Sequence, residues 1–388
     1  MDRVDTFKAM DQEQKIEVSC CEAVPQVGGM QASVGPRGVA LVLVLWVVAL
    51  LSVVVMEFAF AMRTETDIAQ NYGDSIRAYY AARGGFQYGL VEIIRILNEK
   101  RQQRLPYLIT RRTRIKLLPQ ESESQKKERK SLWRMDGRLN EVLIAGEKCR
   151  IRIQDEGGKI DINRIPDRAL RDVIGFMGLD AQNRDIVVDS ILDWRDENQF
   201  HRANGAEEPY YRSLPEPYSC KDGFIDVLEE LLLVKGVTRE IFYGGRIGTT
   251  MAATIGLKTP LDGPGLVDIF TVYASRGRVN INTAPKAVLE AIPGIGPERA
   301  ATIIRAREKE EFRSVQEVRS KLGQEARAAE PFLSVSPSSF FTIYAEGEVE
   351  TGVRRAVRGV VYITGGKTPS YKIVQWDDDA EIIPMEQQ

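Results

Sequence analysis

The chain has 388 residues, 43% of them hydrophobic and 28% charged, the balance of a folded protein rather than a disordered one. Its formal net charge of −2 gives no general attraction for nucleic acid. A single histidine, His201, excludes histidine-rich metal centres and leaves one candidate base for a catalytic triad.

Residues 1–38 read as a leader carrying Arg3, Lys8, Lys15 and Arg37 among several acids. From Val39 to Met56 the side chains are apolar apart from Ser52, and after Glu57 the apolar character continues to Met62. A run of roughly 20 apolar residues crosses a hydrocarbon core of about 30 Å. It exceeds the about 7–15 residues of a secretory h-region, and no clear small-x-small cleavage site closes it. The expectation is therefore a retained transmembrane helix over 39–62.

Over 63–98 the pattern turns amphipathic. Ile68, Tyr72, Ile76, Tyr79, Phe86, Leu90, Ile94 and Leu97 recur at three, four or seven residues, one stripe of a helix continuing from Val39 to about Asn98. Gly84-Gly85 is a soft point within it. The segment 99–160 is expected to hold a polar, basic excursion up to Lys130, then strands over Glu141–Ile153. Next comes a helical block, 161–330, with an internal repeat. Gly158-Lys-Ile-Asp-Ile-Asn163 aligns with Gly277-Arg-Val-Asn-Ile-Asn282, and each leads into a helix, a glycine hairpin and a second helix. Two further strands, Phe340–Val349 and Val353–Ile363, fall in 331–366 around Glu350-Thr-Gly352, and an acidic tail expected to fray occupies 367–388.

The second repeat, Val288–Arg305, reads as a helix-hairpin-helix, with Gly294 and Gly296 for the turn and Pro297 opening the next helix. Such hairpins hold phosphate on backbone N–H groups, so a membrane-tethered DNA-binding protein is the rival reading. Phosphate binding needs unopposed cations. Arg299, Arg305 and Arg307 share their helix with Glu298, Glu308, Glu310 and Glu311, and the first repeat runs into Asp189, Asp193, Asp196 and Glu197. A hairpin used for packing fits better.

Between the repeats, Asp193-Trp-Arg-Asp-Glu-Asn198 and Asn204-Gly-Ala-Glu-Glu-Pro-Tyr-Tyr211 gather carboxylates and amides in a loop of Gly, Asn and Pro. That donor set suits a hard cation such as Ca2+, with Asp193, Asp196, Asn198 and Glu207 as candidate ligands. It is not an EF-hand, because His201 stands where the turn glycine belongs. A solvated acidic loop capping its neighbouring helices is the alternative. Paired acids alone assemble no catalytic site, so an enzyme is not expected. None of Cys20, Cys21, Cys149 and Cys220 shows a CxxC spacing. Cys149 and Cys220 could pair in an oxidising compartment, and the spacing leaves open whether they do.

Two resemblances follow from these residues. Pro36-Arg-Gly38 before the apolar run resembles the prepilin signature, which implies cleavage by a prepilin peptidase between Gly38 and Val39 and methylation of the new amine. The fifth residue after that cut is Leu43, where most pilins carry Glu. The order Leu192-Asp-Trp-Arg-Asp-Glu-Asn198, Asn204-Gly-Ala-Glu207, Tyr210-Tyr211, Pro217-Tyr218, Glu229-Glu-Leu-Leu-Leu-Val-Lys-Gly-Val-Thr238 and Asn280-Ile-Asn-Thr-Ala-Pro285 is similar to the K-type minor pseudopilins of type II secretion. That resemblance implies an α+β fold: a pilin-like long N-terminal helix on an antiparallel sheet, with a large inserted α-helical domain. It also implies partnership with I-type and J-type minor pseudopilins at a pseudopilus tip, a single pass through the inner membrane with a periplasmic C-terminal part, and bound Ca2+.

Overall fold

The computed structural model describes residues 37–104, 133–244, 263–274, 277–364 and 369–382. Most of the expected leader, with Cys20 and Cys21, and most of the expected basic excursion lie outside them. The chain divides into two compact units, Met1–Thr66 and Asp67–Gln388.

One helix, α1 (Arg37–Arg104), begins in the first unit and continues into the second, with no proline to interrupt it. In the second unit it lies on an antiparallel sheet. The strands are β1 (Asp136–Ile144), β2 (Glu147–Asp155), β7 (Phe340–Glu348), β8 (Arg354–Ile363) and β9 (Tyr371–Asp377), in the spatial order β1-β2-β7-β8-β9. Phe86, Leu90 and Ile93 of α1 interleave with Ile151, Ile153, Ile343, Val357 and Val361 to form the core. The glycines that looked like a soft point are where helix and sheet approach most closely. A Cβ on Gly85 would collide with Cys149 Sγ, and one on Gly347 would strike the backbone at Ala78 and Ala82. The stripe itself divides: Phe86 and Leu90 are buried, Tyr79, Ile94 and Leu97 partly so, whereas Ile68, Tyr72 and Ile76 stay on the surface.

Two regions differ from expectation. Tyr371–Asp377, assigned to a fraying tail, forms β9 on the edge of the sheet, held by Trp376 edge-on against Phe86 at 4.8 Å. The acidic residues from Asp377 onward hid a short strand with an Ile-Val-Gln-Trp centre. The possible Cys149–Cys220 disulfide is absent: both are buried free thiols, Cys149 in the core under α1 and Cys220 in the separate core of the inserted domain. Sequence spacing carries no information about that separation.

Between β2 and β7 the chain leaves the sheet and builds a helical domain around its own apolar cluster, running from Ile160 to Leu333. In chain order it contains β3 (Ile160–Asp161), α2 (Asp167–Phe176), α3 (Ala181–Arg195), α4 (Glu208–Arg212), α5 (Arg239–Tyr243), α6 (Leu266–Ile269) and β4 (Phe270–Thr271). There follow β5 (Val279–Asn280), α7 (Lys286–Ala291), α8 (Gly296–Lys309), α9 (Val315–Leu322) and β6 (Leu333–Ser334). Strand β3 pairs in parallel with β4, and β5 with β6.

The sequence repeat is a repeat of hydrogen bonding. Asn163 donates to Ile225 O and accepts from Ile225 N, both at 2.9 Å, and Asn282 does the same with Phe312 O and N, again both at 2.9 Å. Two residues earlier, Asp161 and Asn280 each accept from the backbone N of that asparagine. Each asparagine thus imitates one rung of a β-ladder and pins a distant segment to its repeat.

The domain is fastened to the sheet at the end of β2. The buried Asp155 carboxylate accepts four hydrogen bonds, from Gly157 N (2.9 Å), Ser338 N (3.1 Å), Asn280 Nδ2 (2.8 Å) and Thr283 Oγ1 (2.9 Å). Glu156 beside it accepts from Thr271 and Thr342. Entry strand, exit strand and second repeat therefore meet on two carboxylates.

Candidate functional site

The apolar stretch of α1 has a mean hydropathy of 2.8 over its best 18 residues, and none of that stretch is buried in the protein. Leu41, Leu43, Trp46, Val55 and Phe58 are all exposed. A core helix would hide such residues, so here they need lipid or other helices around them. Gly38 and Val39 fall in the first turn of α1. The exposed apolar side chains continue along α1 as Ile68, Tyr72, Ile76 and Tyr80, four residues apart and hence on one face, with Tyr72 69% and Tyr80 61% exposed.

In the inserted domain, the acidic loop follows α3. Asp193, in the last turn of α3, is fully buried, and its carboxylate accepts from Arg202 N (3.0 Å) and Arg202 Nη1 (2.6 Å). Asp196 binds the same guanidinium nitrogen at 2.7 Å. Asn198 donates to Asp196 and accepts from Phe200 N at 2.8 Å. Three of the four candidate ligands are thus engaged by the loop itself, with Arg202 supplying the positive charge. Gly205 is needed beside them, because a Cβ there would overlap the Asp193 carboxylate. Asp189, one turn back, accepts from Arg171 Nη2 (2.8 Å) and Asn204 Nδ2 (3.0 Å) and closes the loop.

Glu207 behaves differently. It caps α4, is 2% exposed, and among the described residues its carboxylate oxygens have no hydrogen-bond partner beyond a weak contact with the Cys220 thiol. Burial, reinforced by the negative charges of Asp193, Asp222 and Asp196, pushes its carboxyl up to about 7. Facing it are Cys220 and Asp222, and one ligand atom from each of the three lies within 4.8 Å of the others. Asp222 Oδ1 is also buried without a partner, and Asp222 sits at φ +48°, a conformation that non-glycine residues seldom adopt. Sequence reasoning found Glu207 but missed Cys220 and Asp222, which lie beyond the Tyr-rich segment. The only local signal was Asp222 before Gly223, a turn-forming pair.

That Tyr-rich segment is packing. Tyr211 is fully buried, with Trp194 edge-on at 5.0 Å and Tyr218 at 5.4 Å. Lys235 donates to the carbonyls of Asn204 (3.1 Å) and Gly205 (2.9 Å) and so ties the acidic loop to the segment after Leu233.

The second repeat does not present a basic surface. Arg307 is buried and donates to Ile281 O (2.9 Å) and Ala284 O (2.6 Å), spending its charge on the fold. Arg134 donates to the last carbonyls of α8, those of Arg307 (3.1 Å) and Glu308 (2.9 Å), and Lys100 pairs with Glu311 at 2.8 Å. The DNA-binding alternative gains no support from this arrangement.

A long helix with an exposed apolar end, packed on an antiparallel sheet and interrupted by a helical domain, defines a membrane-anchored protein of the pilin type. Residues 153–243 match the family described as type II secretion system (T2SS) protein K, first domain, and residues 279–336 match a second family of the same description, type II secretion system (T2SS) protein K. These two matches, together with the fold, support a minor pseudopilin of the protein K type of the type II secretion system as the reading of this chain. No curated protein matches it. Among solved structures it is similar to a chain of the GspK-GspI-GspJ complex from the enterotoxigenic Escherichia coli type 2 secretion system. That likeness has 12% identity and a TM-score of 0.45, and covers 67% of this chain and 99% of the other.

Proposed function

We propose that the protein caps the tip of the type II secretion pseudopilus together with I-type and J-type minor pseudopilins. In that position it helps start pseudopilus assembly and thereby the export of folded proteins across the outer membrane. The observation that carries this reading is the helical domain inserted between β2 and β7 of a pilin-type helix-on-sheet unit. Bulk added there opposes the addition of another subunit above. Leu43, an exposed apolar residue where most pilins carry Glu, suits a subunit with no neighbour above it. The complex named for the similar solved chain contains one protein of each of the three types, which supports the choice of partners.

The membrane arrangement follows from the same reading. A prepilin peptidase cuts between Gly38 and Val39 on the cytoplasmic side, and the remaining apolar helix stays in the inner membrane with the later residues in the periplasm. The Ile68–Tyr72–Ile76–Tyr80 face then meets the helices of neighbouring subunits.

A divalent cation, with Ca2+ the first candidate, would be held by the buried Glu207 carboxylate and Asp222 Oδ1, which meet no cationic side chain among the described residues, with Asp193 adding charge close by. Bound there, the cation would supply the positive charge these carboxylates lack and so rigidify the loop between α3 and α5.

Co-expression of the full chain with its I-type and J-type partners, followed by extraction in detergent, tests the proposal. A complex with one copy of each is expected, together with a secretion defect when the chain is deleted. A chain that purifies alone from such cells, whose deletion leaves secretion intact, overturns it.

A further inference from the structure

The two repeats of the inserted domain share more than their asparagines. Arg195, in the last turn of α3, donates to Ile162 O and Ile165 O, and Arg307, in the last turn of α8, donates to the matching carbonyls of Ile281 and Ala284. Ile162 N donates to Thr271 O and Ile281 N to Ser334 O, both at 3.0 Å, which equates β4 with β6. With Ile225 and Phe312 held by the matching asparagines, Phe224-Ile225-Asp226 corresponds to Glu311-Phe312-Arg313, and Val272 and Ala274 to Val335 and Pro337. Each of these sets lines a groove, of about 250 Å³ in the first repeat and about 780 Å³ in the second.

The two grooves differ in what faces them. In the second repeat the opposite wall is the end of α1, with Ile96, Glu99 and Lys100, together with Trp133 and Arg134 before β1. Lys100 pairs with Glu311 at 2.8 Å, and Arg134 donates to the carbonyls of Arg307 and Glu308, so a helix end is docked there. In the first repeat the groove is lined, among the described residues, by the inserted domain alone. Phe224 on its wall is 66% exposed.

We propose that this first groove receives the last turns of the long helix of a neighbouring minor pseudopilin, as the second receives the last turns of α1. This rests on the reading of the protein as a pseudopilus tip subunit, and it names the surface by which the inserted domain holds a neighbour. Charge selects the occupant. A second copy of this chain would bring Lys100 onto Phe224 instead of Glu311, and Asp226 beside it stands in the place of Arg313 and is already paired with Lys221 at 2.6 Å. The groove therefore suits a helix end with an apolar side chain at the Lys100 position, which buries the Phe224 ring. Arg164 lines the same groove, and a cation there suits the electronegative C-terminal end of an incoming helix.

The test uses the full chain co-expressed with its I-type and J-type partners and extracted in detergent. A photo-activatable benzophenone amino acid is placed at position 224 or, as a control for the complex, at position 72 on the exposed face of α1. Irradiation and mass spectrometry are expected to join position 224 to the last two turns of the long helix of one partner, and position 72 to a partner as well. Phe224→Ser, at an exposed site, is expected to leave Tm unchanged and to weaken the complex at least tenfold in a titration of the purified subunits. The proposal is overturned if position 224 gives no cross-link, or one that ends only on a second copy of this chain or elsewhere on a partner. An affinity indifferent to Phe224→Ser overturns it too. In each of these cases a recovered complex, cross-linked from position 72, leaves the tip reading standing, whereas failure to recover any complex removes that reading as well.

Discussion

At the scale of single residues, the structure turns on buried groups whose partners are either complete or missing. Glu207 is the incomplete case. Its folded carboxyl, raised to about 7, lies above the ordinary value of 4.5, so in the cation-free protein the folded state holds the proton more tightly than the unfolded state does. The stability that this adds is present below about 4.5 and is lost as pH rises through about 7. With a chelator present, Tm should therefore fall between pH 5.5 and 7.5, and Glu207→Gln should flatten that slope. A slope unchanged by the substitution would show that Glu207 is not its source. Gly85 is a different case, a residue defined by what it lacks. Gly85→Ala would press a methyl into Cys149 and should cost about 1–3 kcal/mol of overpacking, measured by denaturant unfolding. Sequence alone marked Gly85 as a weakness, because the cost of glycine in a helix is local whereas its benefit here lies across the core. The same limit explains the candidate cation ligands. Residue types pointed to Asp193, Asp196, Asn198 and Glu207, but whether a carboxylate is already occupied depends on where Arg202 folds. Cys220 and Asp222 come to Glu207 only through the loop after α4.

At the scale of elements, the sequence repeat was legible because it is written in asparagines with identical work. Asn163 and Asn282 each clamp one distant residue through two hydrogen bonds, so Asn163→Ala and Asn282→Ala should have similar effects, each about 1–3 kcal/mol from the buried backbone groups left unpaired. Very unequal losses in matched unfolding experiments would mean that the repeats are alike in sequence and unlike in role. Strands β7 and β8 were readable from alternation around the turn at Gly352, where φ is +85°. β9 was not, since an edge strand has one neighbour, and the glycines before it and the run of acids from Asp377 give no sign of that neighbour. Asp155 was equally hidden, being one acid among many until Asn280, Thr283 and Ser338 converge on it. Asp155→Ala leaves those donors facing a void and should cost about 3 kcal/mol or more, loosening the inserted domain before the sheet. Hydrogen exchange that rises first in residues 160–335 would show that order. Uniform loss of protection across both would contradict it.

At the scale of the whole molecule, the apolar run of α1 and the family matches within the inserted domain make one account: a membrane-held minor pseudopilin whose extra domain is inserted between the neighbouring strands β2 and β7. The exposed face of α1 belongs to this scale, since Tyr72 and Ile76 stay exposed among the described residues. The double substitution Tyr72→Asp with Ile76→Asp should leave thermal unfolding of the protein unchanged and abolish its co-purification with the other minor pseudopilins; retained co-purification would place the subunit contact elsewhere. The measurement that tests the account most directly is the mass of the mature N-terminus, taken on protein extracted from membranes of cells that contain a prepilin peptidase. The account predicts a chain that begins at Val39, carries one N-methyl group and keeps its apolar helix. A chain that still begins at Met1, or one that begins beyond Met62 with the helix removed, would contradict it.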